Sequence, residues 1–291
     1  MPILKNNNPF VTVIFSKDRP MQLDLCLTTN EKYCVEKSIR NEVVIYKTSN
    51  NRYEECYEKV KQEHPNVQFI KENNFKTDLI ETLKKKKYVL FLADDCIFTR
   101  KYSIDIISSF LDICDGVLAF SLRLGENTEV CYLIREKNDI PYMQTLGNNI
   151  SAFSWRQARS GDFSHPLELS GSIYRVKQIK PILESLDYST PNSLKSLLSN
   201  LTASFNNVQF LLCYNTSPVF CNPINRVQVE NNNRVGSNPN YSVEKLLDLY
   251  EQGFRINDDI FDGMISNGTQ MEKGFQFYNI SQVVQGDVCE P

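Results

Sequence analysis

At 291 residues, with 41% hydrophobic and 23% charged side chains, the chain has the make-up of a globular protein holding one large core or two modest ones. A formal net charge of −3 supplies no overall basic surface for phosphates, and no run approaches the ~18 apolar residues of a membrane span. Composition therefore points away from a general nucleic-acid binder and from an integral membrane protein. The nine cysteines stand singly with no C-x-x-C pair, which argues against a zinc ribbon or a thioredoxin-like centre and favours a reducing compartment. The opening MPILKNNNPF lacks the apolar segment of a signal peptide, so a cytoplasmic location is expected. Sequons such as Asn200-Leu201-Thr202 are read as chance matches in a chain rich in Asn, Ser and Thr.

The first half alternates strand-like and helix-like segments. Residues 10–15 (FVTVIF) read as a buried strand, followed by SKDRP, where Asp18 is suited to cap a helix whose first turn accepts Pro20 and which carries Met21, Leu23, Cys26 and Leu27. Residues 42–46 (EVVIY) give a second strand and 53–62 a second helix. A third strand at 67–70, a third helix at 75–86 and a fourth strand at 88–93 (YVLFLA) follow. The Lys84–Lys87 run is expected to be the solvated end of that third helix, where cations suit the carbonyl end of the dipole. Residues 103–114 read as a helix and 116–122 as a strand; 125–172 is polar and loop-rich; 193–201 is helical and 208–213 a strand. Ser242 caps an amphipathic helix, SVEKLLDLYEQG, that Gly253 closes, after an exposed connector from Val229.

Strands alternating with helices at these spacings predict an α/β fold with a mostly parallel sheet covered on both faces, and such sheets bind ligands at the carboxyl ends of their strands. Asp94 and Asp95 stand at one such end and Ser16 to Arg19 at another. Two adjacent carboxylates after a buried strand suit a turn. They equally suit Mg²⁺ or Mn²⁺, hard cations that need only one or two protein carboxylates when substrate phosphates supply further oxygens. Asp18 or Ser16 can hydrogen-bond a base or ribose, and Arg19 can fork onto phosphate. Lys76 and Arg123 are further phosphate or sugar candidates, each also suited to a structural salt bridge.

The blocks VTVIFSKDRPMQL, NNFKTDLIETL, YVLFLADDCIF and FSLRLGENTEVCY, then HPLELSGSIYR, TPNSLKSLL and NNNRVGSNPNYSVEKLLDLYEQGFRI, together resemble bacterial glycosyltransferases of the GT-A fold, family 2-like, over most of residues 10–260. The resemblance implies a Rossmann-like mixed sheet, a nucleotide-sugar donor, a glycan acceptor, and Mn²⁺ or Mg²⁺ at an acidic D-x-D-type motif. Here Ala93-Asp94-Asp95 lacks one carboxylate of that motif; Asp95 is taken as the direct metal ligand and Asp94 as a neighbour of the ribose or of a metal-bound water. Many such enzymes add a C-terminal histidine to the metal, and GTQMEKGFQF contains none. Asp162 and Glu168 are the candidates for the base that takes the acceptor proton. Trp155 is either a sugar-stacking platform or core, and His165 reads as packed or capping. Residues 1–228 are assigned to the donor- and acceptor-binding domain and 229–291 to a helical extension packed on it. SKDRPMQL lacks the glycine-rich loop of a sugar nucleotidyltransferase and no G-x-G-x-x-G follows the first strand, which disfavours that class and the dehydrogenases. A non-catalytic glycan-binding module on the same fold is the alternative, made credible by the incomplete acidic motif.

Overall fold

A computed structural model describes residues 8–201, 208–228 and 234–281, so part of the connector expected from Val229 lies outside the described residues. The first half follows the expected alternation: β1 (Phe10–Lys17), α1 (Pro20–Tyr33), β2 (Glu42–Lys47), α2 (Asn51–Glu63), β3 (Gln68–Lys71), α3 (Phe75–Thr82) and β4 (Tyr88–Ala93). Next come β5 (Cys96–Phe98), α4 (Ile104–Ile113), β6 (Val117–Ser121), β7 (Val130–Cys131), β8 (Glu136–Lys137), β9 (Met143–Gly147) and β10 (Ile150–Ser154). The chain continues through β11 (Ser172–Arg175), α5 (Val176–Ser185), α6 (Pro191–Asn200), β12 (Phe210–Tyr214), β13 (Val219–Cys221), α7 (Val243–Glu251), β14 (Phe254–Ile256) and β15 (Phe277–Asn279).

One nine-stranded sheet in the order β3-β2-β1-β4-β11-β6-β12-β10-β9 forms the centre. β1 pairs in parallel with β2 and β4, and β6 with β12, while only β11 and β10 run against the rest. The mixed, mostly parallel sheet flanked by helices is thus the architecture the sequence implied. Period-two geometry divides the apolar runs between two layers. Leu90 and Leu92 join Ile14, Val44 and the faces of α1, α2, α4 and α7, whereas Val89 and Phe91 join Val13, Phe15 and the faces of α3, α5 and α6. A strand buried on both sides has no use for alternation, which is why FVTVIF and YVLFLA are continuous apolar runs.

Three departures from the sequence reading have local causes. The span 125–172 is not simply loop: β9 and β10 form an antiparallel hairpin that extends the sheet beyond β12. Its outer strand is largely exposed, so MQTLG carries no apolar signature of a strand. Helix α5 buries Val176, Ile179 and Leu183, a helical spacing that Pro181 within the element disguises. The third helix stops at Thr82, so the lysine run lies beyond it, and Lys85 takes a left-handed φ of 61°.

Near the C-terminus, α7 packs on α1 and α2 through Leu246, Leu247 and Tyr250, with β14 and β15 paired beside it. Ser242 caps this helix as expected, its Oγ accepting the Lys245 N–H at 3.2 Å. Replacing Ser242 with Ala is expected to lower stability by about 1 kcal/mol, the usual cost of a lost N-cap, read as a shift in denaturant midpoint at constant slope.

Candidate active site

The parallel register sets Phe15 opposite Ala93, so the residues that follow both strands emerge together at the carboxyl edge of the sheet. There Asp94, 1% exposed, accepts hydrogen bonds from Ser16 Oγ at 2.9 Å and from the Lys17 N–H at 3.4 Å. Arg19 closes an ion pair on its other oxygen and reaches Asp95 at 3.7 Å. Burial pushes the Asp94 carboxyl up to about 6 despite the pull of Arg19. Behind this group the Tyr57 hydroxyl meets Ser16 Oγ and accepts from the Arg19 N–H at 3.4 Å. Tyr57 is a participant that the sequence reading missed.

Asp18 does not cap α1; the N-cap position is Arg19, with no side-chain cap, and Pro20 opens the helix. Asp18 instead takes a left-handed φ of 52°, a conformation that Asp tolerates better than most residues. Its carboxylate accepts from the Ser49 N–H at 2.7 Å and from Ser49 Oγ. The β1–α1 turn is thereby tied to the β2–α2 turn, which fixes the floor of the site.

Above the floor lies a cavity of about 330 Å³, walled by Ser16, Arg19, Asp94 and Asp95 on the sheet side. Its far wall comes from later in the chain: Asn192 and Lys195 from the start of α6, then Arg226, Arg234 and Gln270. Several cationic side chains around one pair of aspartates make a surface complementary to phosphate and a cation together. Arg19 lines this cavity, and its Nε is a buried donor without a hydrogen-bond partner. For a hard cation the donor set fits in part. Asp94 is occupied by Ser16, Lys17 and Arg19, whereas the Asp95 side chain makes only the long contact to Arg19 among the described residues and lines the cavity, as does Gln270, whose amide carbonyl is a second oxygen donor.

A second cavity of about 310 Å³ lies next to the first, and Lys195 lines both. Here the structure assembles Arg123, Asp162, His165 and Glu168. Arg123 bridges to Glu168 at 2.8 Å, with Lys195 at 3.7 Å. Burial pushes the Glu168 carboxyl up, but Lys195, Arg123 and the Leu169 N–H outweigh it and hold the group at about 2. Asp162 Oδ2 accepts from Asn138 Nδ2 at 3.1 Å, and the Cys131 thiol hydrogen-bonds the same carboxylate. His165 Nδ1 lies 2.9 Å from the Gly161 carbonyl, in the capping position the sequence suggested.

Because Glu168 is held below its ordinary value, it adds stability above about pH 4.5 that is lost as the pH falls toward 2. Acid denaturation of the native chain is therefore expected to show a loss of about 2–3 kcal/mol over that window that Glu168→Gln does not show, measured by urea unfolding at stepped pH.

Two candidates lie apart from both cavities. Lys76 Nζ donates to the carbonyls of Glu184 at 2.9 Å and Leu186 at 2.5 Å, tying α3 to the end of α5. Trp155 is buried among the core residues beneath α5 and α6, its Nε1 donating to the Val208 carbonyl at 3.1 Å.

No family model matches the chain. Over 279 aligned residues it is 26% identical to the bifunctional glycosyltransferase pgtA of Dictyostelium discoideum, covering 86% of this chain and 36% of that protein. The chain thus spans about a third of the length of this curated relative. Solved structures with a similar course include the mannosyltransferase PcManGT of Pyrobaculum calidifontis in complex with GDP-Man and Mn²⁺, with a TM-score of 0.41 and 9% identity over 69% of this chain and 53% of that one. Residues 1–349 of TarS from S. aureus in complex with UDP give a TM-score of 0.43 and 15% identity over 71% of this chain and 57% of that one. The likeness to glycosyltransferases read from the sequence blocks is borne out by the curated relative and extends over most of the chain.

Proposed function

We propose that this chain is a glycosyltransferase that moves a sugar from a nucleoside-diphosphate donor to a hydroxyl of a glycan acceptor, with a divalent cation held at Asp95. The observation that carries this reading is the first cavity, where an open carboxylate and a buried, unpartnered guanidinium Nε stand side by side at the carboxyl edge of a parallel sheet. Asp95, with the Gln270 carbonyl, would hold Mn²⁺ or Mg²⁺, which when bound supplies positive charge against the leaving diphosphate.

The chain's own residues perform the remaining work. Arg19, kept charged and aimed by Asp94, forks onto phosphate oxygens, and Lys195 adds a second positive charge from the opposite wall. Ser16, fixed by Asp94, forms the floor suited to ribose and base, and Asp18, buried behind the lining with both oxygens on Ser49, holds that turn in place. The second cavity receives the acceptor. Glu168, ionised and clamped between Arg123 and Lys195, positions those cations, while Asp162, held by Asn138 and the Cys131 thiol and in no ion pair among the described residues, is the carboxylate left to take an acceptor hydroxyl proton. Within the C-terminal extension, α7 with the β14–β15 pair steadies α1 and α2. Eight free cysteines among the described residues fit a reducing, cytoplasmic setting. GDP-Man and UDP in the two solved structures above are reasons to begin the donor search with guanosine and uridine diphosphates.

Calorimetric titration with GDP and UDP, with and without Mn²⁺, tests the reading. Saturable binding of one nucleotide that tightens at least about tenfold with Mn²⁺ is expected, visible also as a raised Tm. Absence of binding to any nucleoside diphosphate would refute it. Nucleotide binding without sugar transfer or hydrolysis would favour the non-catalytic module, to which the single open carboxylate lends weight.

A further inference from the structure

We propose that Asp95, Cys96 and Cys221 form a site for a thiophilic divalent cation of the zinc class, overlapping the position at Asp95 and excluding Mn²⁺ or Mg²⁺ when filled. The site exists because β5 and β13, far apart in sequence, pair antiparallel with Cys96 directly opposite Cys221. The two Sγ atoms stand 3.5 Å apart. Two thiolates on a tetrahedral zinc, each about 2.3 Å from the metal, stand about 3.8 Å from each other, so the pair is already spaced for bidentate ligation. A carboxylate oxygen of Asp95 completes the group, with all three ligand atoms within 4.8 Å of one another. In a tetrahedral zinc site a carboxylate oxygen stands about 3.5 Å from each sulfur, so Asp95 has at most about 1.3 Å to travel.

Access and the fourth ligand come from the same side. Both cysteines are buried and line neither cavity, so an ion and its water enter past Asp95, which lines the first one. Arg123 Nη1 donates to Cys221 Sγ at 3.4 Å and so orients that sulfur, and Glu168 balances the charge of that guanidinium. Each thiol that ligates releases its proton to solvent. Softness sets the selectivity: zinc and cadmium take sulfur readily, while Mn²⁺ and Mg²⁺ prefer oxygen and gain little from the two cysteines. The competition rests on the reading of Asp95 as the hard-cation ligand; the thiolate site itself does not.

The test uses the full chain, reduced and stripped with a chelator, titrated with Cd²⁺ while the ultraviolet thiolate-to-cadmium charge-transfer absorption is followed. One equivalent is expected to bind, with the band lost in Cys96→Ser and in Cys221→Ser and kept in Cys114→Ser. Asp95→Asn should keep the band and weaken binding at least about tenfold. If either serine variant fails to fold by circular dichroism, Cys221→Ala and Asp95→Asn carry the test. A wild-type chain without the band, or a band that survives loss of either Cys96 or Cys221, overturns the site. Displacement of Mn²⁺ by Zn²⁺, read from the paramagnetic resonance of released Mn²⁺, is expected in the wild type and overturns the exclusion if bound Mn²⁺ stays in place. A chain that shows the cadmium band but never binds Mn²⁺ contradicts the hard-cation reading of Asp95 and leaves the thiolate site standing.

Discussion

Asp95→Ala is expected to lower kcat/KM for sugar transfer by at least about 100-fold, with a change in Tm of no more than about 2 °C. The large kinetic effect follows from position. Asp95 is the acidic side chain facing the first cavity that the protein's own cations leave open, so nothing nearby replaces it as an anchor for a cation beside the diphosphate. The small stability effect follows from the same fact, because a largely buried carboxylate with one long ion pair gains little attraction to set against its desolvation. Asp94→Ala supplies the contrast. Removing it leaves the Arg19 guanidinium without its close partner and strips Ser16 Oγ and the Lys17 N–H of their acceptor, so stability and activity should fall together. Measuring initial rates and denaturant midpoints for both variants separates the roles. Full activity in Asp95→Ala would sink the assignment.

Arg175→Met is expected to destabilise the fold by about 3–5 kcal/mol, the largest effect anticipated for any single side chain outside the cavities. Arg175, 4% exposed, ends β11 at the N-cap position of α5 and forms no ion pair among the described residues. Its guanidinium donates instead to the carbonyls of Leu111 at 2.7 Å, Val117 at 2.7 Å and Cys114 at 2.7 Å, and to Gln178 Oε1 at 2.9 Å. One side chain therefore satisfies the C-terminal carbonyls of α4 and the start of β6, groups that a helix end leaves without internal partners. Methionine fills the volume but abandons three buried acceptors. Urea unfolding of the variant at neutral pH gives the number, and a loss below about 1 kcal/mol would show that water reaches those carbonyls.

Hydrophobic pattern and spacing made the first half of the chain readable. β1, β2, β4, α1, α2 and α4 were legible because each is either a continuous apolar run sized for a strand or a helix-length segment set between two such runs. The β9–β10 hairpin was not legible, since an exposed edge strand has no apolar face to declare itself. Helix α5 was hidden by Pro181, although Val176, Ile179 and Leu183 carried the right spacing. In the site, the sequence placed Ser16, Arg19, Asp94 and Asp95 at strand ends, and the fold brings these four together. Nothing in the sequence marked Tyr57, Lys195, Arg226 or Gln270, because ordinary side chains acquire meaning only from what they face.

By itself the sequence determined the α/β class, the burial of the central strands and the acidic step at the end of β4, since these depend on local periodicity and on where a buried run must stop. Tertiary structure alone decided which charges meet. It set Arg19 against Asp94 rather than Asp95, clamped Glu168 between Arg123 and Lys195, and brought Cys96 to Cys221 beside an open carboxylate. Those outcomes depend on strand register and on the return of the chain from beyond residue 190, and a contact between residues so distant leaves no periodic trace in either segment.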